Sequence, residues 1–336
     1  MSPTSPSLGR RLLRVVGRIV KWGAIGFALL LVCVAVYGRV LHAREAGRWK
    51  APGQLLAVEP GRNMHMYCTG TGKPTVVLEA GLGDFSLSSW RSVQPQISAF
   101  TRVCSYDRAG TGWSDVSRAP LMPTAMVNDL HALLGAAGER PPFVLAGHSL
   151  GGPLVRHYAV HYPSEVAGLV LVDGSHEDQL TRINFPWWAD YIYPVFRGVN
   201  FLRIDRVLGG LIAKDTVAQR SLALTSTTTA VNNTMTIGQS LPTFMAAVKK
   251  DARDFGDLPI TALTAGRMGV VGMTPAQADT MQRAWNAMHQ EIVARTTRGR
   301  WILAEKSQHY IQRDQPELVI DAVRVMVDSV RASTKE

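Results

Sequence analysis

The sequence predicts an α/β protein built on a mostly parallel sheet with helices on both faces. Three observations predict it. Short apolar runs bounded by turn residues recur along the chain, and segments of 3.6-residue periodicity lie between most of them. Strands joined through helices run parallel and are covered on both sides. With 336 residues, 46% hydrophobic and 18% charged, the chain can bury a large core and is not of disordered composition.

The first element is a basic tail, residues 1–21, carrying Arg10, Arg11, Arg14, Arg18 and Lys21. An uncharged run follows from Trp22 to Gly38, WGAIGFALLLVCVAVYG, at the short end for a membrane span. Val40 and Leu41 extend it if Arg39 snorkels, giving an expected transmembrane anchor over 22–41. A cleaved signal peptide is the competing reading; its best small-residue cut, after Ala35, falls inside the apolar run. The positive-inside tendency places the tail in the cytoplasm and the large domain outside, on the periplasmic side of a bacterial inner membrane. Residues 1–50 hold nine Lys/Arg and one acid, so +8 of the net +10 lies there. The remainder is nearly neutral and lacks the electrostatic footprint of a nucleic-acid binder.

Beyond Ala51-Pro52-Gly53, LLAVEP and MHMYCTG read as a hairpin broken at Pro60-Gly61. TVVLEAG, RVCSYD, FVLAGHS, GLVLVDG, ITALTAG and RWILAEKS read as strands. TAMVNDLHALLGAAG, LVRHYAVHYP and QPELVIDAVRVMVDSV read as helices, the last opening with a proline in its first turn. Residues 176–257 break the alternation with helix-like sequence and the cluster NFPWWADYIYPVF. They are expected to form a helical lid inserted into a core of 53–175 and 258–332. Its aromatics, Trp187, Trp188, Tyr191, Tyr193 and Phe196, pack the lid or, where exposed, suit an acyl chain or a membrane surface.

FVLAGHSLGG sets Ser149 between Gly147 and Gly151, on a strand-turn-helix junction. This is the context of a nucleophile elbow, in which the serine backbone is strained and neighbouring chain passes close. The helix beginning near Gly151 aims its first amides at developing negative charge.

At this point the chain resembles the α/β-hydrolase family, over about residues 53 to 332. VVLEAGLGDF matches that family's third-strand turn, SYDRAGTGWSD its fourth-strand loop and AEKSQHYIQRDQPE its final-strand histidine motif. The resemblance implies an eight-stranded sheet with strand two antiparallel beside strand four. That would set Cys68 and Cys104 on neighbouring strands, as a disulfide or as two buried thiols. It implies His309 as general base and the backbone amides of Leu82 and Leu150 as the oxyanion hole. The imidazole suits that role because it titrates near neutrality.

The acid is less direct. The usual position after strand seven is vacant, for no carboxylate lies between Ile260 and Asp279. In branches that carry the acid at the end of strand six, the matching residue is Asp173, with Glu177 and Asp178 as competitors. His148 fills the variable slot of the elbow as a packing group. His157 and His161, four apart on a helix, mimic a zinc pair, but the sequence offers no third ligand and no metal is expected. Gly70-Thr71-Gly72-Lys73-Pro74 lacks full phosphate-loop spacing.

Together these readings imply a membrane-anchored serine hydrolase cleaving apolar carboxylic esters through an acyl-enzyme, with no cofactor. Thioesterase, lactonase, amidase and acyltransferase chemistry share the same residues, and a non-catalytic ligand-binding protein could share the fold.

Overall fold

The structure, a computed structural model, describes residues 8–45, 47–184, 189–269 and 272–333. Eight strands form one sheet: β1 (Gln54–Glu59), β2 (Arg62–Thr69), β3 (Thr75–Glu79), β4 (Val103–Tyr106), β5 (Phe143–His148), β6 (Val166–Val172), β7 (Ile260–Ala265) and β8 (Gly299–Ala304). Their spatial order is β1-β2-β4-β3-β5-β6-β7-β8. β2 is antiparallel to both β1 and β4, and the other pairings are parallel. The expected hairpin and the expected β2–β4 pairing are both present.

Strands β3 to β7 bury nearly every residue, which is why they read as unbroken apolar runs instead of alternating ones. Successive side chains point to opposite faces. Val77 and Leu145 pack with Leu130, Leu133, Leu154 and Tyr158 from helices Pro123–Ala136 and Gly151–His161. Val76, Val144 and Val170 pack on the other face with Val319, Val323 and Val327 from helix Pro316–Ser333. Cys68 lies opposite Cys104 in the β2–β4 register, and the two form a disulfide.

The tail and the apolar run are one continuous helix, Leu8–Glu45, longer than the 22–41 span expected. It contains no proline to break it. Its Leu12–Glu45 portion is long and apolar enough to cross a membrane, as an anchor or a signal sequence would.

Between β6 and β7 the chain runs through helices, chiefly Ala189–Phe201, Ile204–Ile212, Thr216–Thr225, Thr228–Gln239 and Leu241–Lys250. Trp187 and Trp188 of the aromatic cluster lie outside the described residues, as does the side chain of Tyr193.

Candidate active site

Ser149 follows β5 in the left-handed region, at φ 51°. For a non-glycine residue this costs ~1–3 kcal/mol and must be held by its surroundings. The Ser149 carbonyl accepts from Gly152 N and Ser175 N, each at 2.9 Å, and its own N–H reaches the Val172 carbonyl at 3.2 Å. The flanking glycines are sterically required: a Cβ at Gly147 would sit 2.3 Å from the Gly151 carbonyl oxygen, and one at Gly151 would sit 2.6 Å from that of Glu79.

Asp173 follows the neighbouring strand β6 and is also left-handed, at φ 46°. Its side chain is fully buried. Oδ1 accepts from Ala265 N at 2.9 Å and from Trp285 Nε1 at 2.8 Å. Oδ2 lies 2.6 Å from His309 Nδ1, in the loop after β8. Burial pushes the Asp173 carboxyl up, but the hydrogen bond and charge of His309, with His289 and the Ala265 amide, outweigh it and hold it below its ordinary value. His289 itself is fixed at Gly174 O, 2.6 Å away, and at Thr264 Oγ1, 2.5 Å away.

The two competing carboxylates are engaged elsewhere. Glu177 meets Arg156 at 2.8 Å and Arg295 at 2.5 Å. Burial opposes its charge, but Arg156, joined by the charge of His176, wins and drives its pKa well below the usual carboxylate range. Asp178 pairs with Lys249 at 2.6 Å. His309 is therefore joined to Asp173 and to neither competitor.

His148 lies in the second layer of this site. Its Nε2 bonds the His309 carbonyl at 3.0 Å, and the two rings are 4.7 Å apart. Burial, then the charge of His309, lowers its pKa to about 3, so it stays neutral. The third-strand turn closes on the elbow: a Cβ at Gly81 would lie 3.2 Å from Ser149 Cβ. Leu82 follows in that turn, and Leu150 caps the helix that begins at Gly151.

Sequence reasoning missed what holds this turn. Buried Arg108 donates to the Ala80 carbonyl at 2.6 Å and also bonds the Gly81 carbonyl and Glu79. Glu79 also accepts from the Tyr106 hydroxyl. Burial raises the Glu79 carboxyl despite Arg108, its main opposing influence. The signal was available, because SYDRAG sets a guanidinium at the end of an apolar strand and Glu79 ends its parallel neighbour. Trp285 was missed too, since nothing in a helical stripe marks one tryptophan as a donor to an acid.

The His157–His161 pair has gained the partner that the sequence did not offer. Asp251, just past helix Leu241–Lys250, sets Oδ2 3.0 Å from His157 Nδ1. The opposite nitrogen of His157 lies 3.1 Å from Thr124 Oγ1, so neighbouring side chains already face both ring nitrogens.

An eight-stranded sheet of this order, with helices on both faces, defines the α/β-hydrolase fold. The α/β-hydrolase fold family model matches residues 74–246, and the chain belongs to that family. It is 24% identical over 250 residues to the YqjL protein of Bacillus subtilis, covering 74% of this chain and 82% of that protein. It is 25% identical over 310 residues to protein C23C11.06c of Schizosaccharomyces pombe, covering 82% of this chain but 56% of that protein. Among solved structures it is similar to the epoxide hydrolase CorEH, with TM-score 0.60 and 19% identity, covering 82% of this chain and 98% of that one. A thermophilic esterase from Thermogutta terrifontis gives TM-score 0.56 and 20% identity, covering 82% and 97%. At these identities the structures share the fold alone.

Proposed function

We propose that this chain is a membrane-anchored serine hydrolase that cleaves carboxylic esters through an acyl-enzyme. The observation that carries the reading is the 2.6 Å His309–Asp173 bond on the same rim as the strained Ser149. In this reading His309 takes the Ser149 proton as the hydroxyl oxygen bonds to the ester carbonyl carbon. The Leu82 and Leu150 amides stabilise the oxyanion, and His309 returns the proton to the leaving alcohol as the C–O bond breaks. Water then repeats the sequence to release the acid. Asp173 keeps the imidazole in the tautomer whose other nitrogen faces the serine.

A serine at the elbow favours acyl chemistry over epoxide opening, which in this fold employs a carboxylate nucleophile. The Cys68–Cys104 disulfide supports a domain outside the reducing cytoplasm, with helix Leu8–Glu45 retained as its anchor. Labelling by a fluorophosphonate probe that Ser149→Ala abolishes, with turnover of p-nitrophenyl esters of graded chain length, tests the reading. No labelling and no turnover across the series would leave a non-catalytic binding protein.

A further inference from the structure

The N-terminal helix packs against the helical insertion. Along one stripe of it, Ala35 and Gly38 are buried, and Leu31, Val34, Leu41 and His42 are half-buried. Three contacts account for the end of this stripe. A Cβ at Gly38 would fall 2.4 Å from that of Arg203, so only glycine allows the approach. Arg39 donates to the Phe201 carbonyl at 3.2 Å, and Arg206 pairs with Glu45.

The contact continues inward to the active site. Arg203, left-handed at φ 58°, binds the Ser226 carbonyl and Thr228 Oγ1, each at 2.8 Å. Helix Thr228–Gln239 then sets Asn233 Nδ2 3.1 Å from the Ala109 carbonyl, and Thr234 against Gly83, next to Leu82. A short run of contacts thus joins the apolar helix to the turn beside Ser149.

Leu31 to Gly38 belong to the uncharged stretch that a bilayer would cover. The contact reaches about 10 Å along the helix from Gly38 at 1.5 Å per residue. Insertion helices touching that stretch must lie at the bilayer boundary. Those same helices, Ala189–Phe201 and Ile204–Ile212, leave Val195, Phe196, Phe201, Leu208, Leu211 and Ile212 between 55% and 78% exposed. Clustered apolar exposure of this kind marks an interaction surface, and amphipathic helices bury such a face among lipid headgroups. Behind it is a cavity of about 420 Å³, walled by Phe196, Leu222, Val231 and Met235 and reaching Gly83. That volume suits a bound small molecule.

We propose that this face docks on the membrane and that the cavity behind it takes the acyl chain of a lipid ester drawn from the bilayer. This rests on the ester-hydrolase reading. A dissolved short-chain ester can reach Ser149 without the face, whereas a bilayer lipid requires it.

The test reconstitutes the full chain in phosphatidylcholine vesicles holding a fluorogenic long-chain acylglycerol, and assays a soluble short-chain p-nitrophenyl ester alongside. The double variant Leu211→Glu/Ile212→Glu and, separately, Gly38→Leu are expected to lose at least tenfold in rate on the vesicle ester. Both are expected to stay within about twofold on the soluble one. Unchanged vesicle rates, or equal losses on both substrates, would overturn the proposal. As a readout free of turnover, a bimane on Leu211→Cys in a Cys33→Ala background is expected to be quenched by nitroxide lipid and not by aqueous iodide. The reverse pattern overturns docking. A wild type inactive on the soluble ester and unlabelled by fluorophosphonate would sink the hydrolase reading instead, while the quenching would still report where the face sits.

Discussion

The rim of the sheet and the helical insertion are built on opposite plans. At the rim, polar groups are closed onto one another: buried Asp173 holds three hydrogen-bond partners and buried Glu177 two arginines. In the insertion, apolar side chains face out, with Leu211 73% and Ile212 78% exposed. A closed network fixes positions to a fraction of an ångström, which charge transfer needs. An open apolar face fixes little and leaves room for something else to bind.

The sharpest way to break this contrast is at Asp173. Asp173→Asn keeps the shape but misorients the imidazole, and turnover is expected to fall by up to ~10⁴, by analogy with serine proteases. Near-full activity would show that the rim does not act as one unit. Glu177→Gln is expected to keep turnover within a few-fold but to destabilise the fold. It leaves Arg156 buried with a weakened partner, and losing a buried partner costs about 3–5 kcal/mol. Calorimetry and ester assays on the purified variant separate the two effects. Loss of activity without loss of stability would move the acid from Asp173 to Glu177.

Acid sharpens the contrast further. Burial is the main cause that lowers His148 to about 3 and both His157 and His176 to about 4; the charges of His309 and His161 add to it at the first two, while Glu177 opposes it at His176. Unfolded, each takes a proton near 6.5. Between those values the unfolded chain binds more protons, so stability falls as pH falls from 6.5 towards 4. Each of the three histidines adds to that fall. Urea midpoints measured from neutral to mildly acidic pH are expected to decline, and less steeply in His148→Gln. The smallest effect belongs to the open face: Leu211→Ser is expected to move stability by no more than ~0.5 kcal/mol. A larger drop in the thermal midpoint would mean that the face is packed.

Much of this was legible in the sequence, and the reason is local. Strands β3 to β7 announce themselves because burial on both faces leaves them few polar residues. Ser149 stands out because a strained turn admits only glycine on either side. Asp173, the proposed acid, was reachable only through the family resemblance, with the usual position after strand seven vacant, since a carboxylate at a strand end looks the same whether or not an imidazole faces it. Trp285 and Asp251 stayed hidden, because their contacts depend on which distant segment folds against them. The insertion was visible only as helical composition, for amphipathic sequence does not state what its apolar face meets.

Because the Ala265 amide and the Trp285 indole both claim Oδ1 of Asp173, the carboxylate cannot swivel, and a single oxygen is left to face the ring of His309. The imidazole then has one resting orientation, with its Nδ1 proton directed at the buried acid. That proton is expected as a far-downfield, slowly exchanging NMR resonance, and Trp285→Phe is expected to broaden it by freeing the carboxylate to turn.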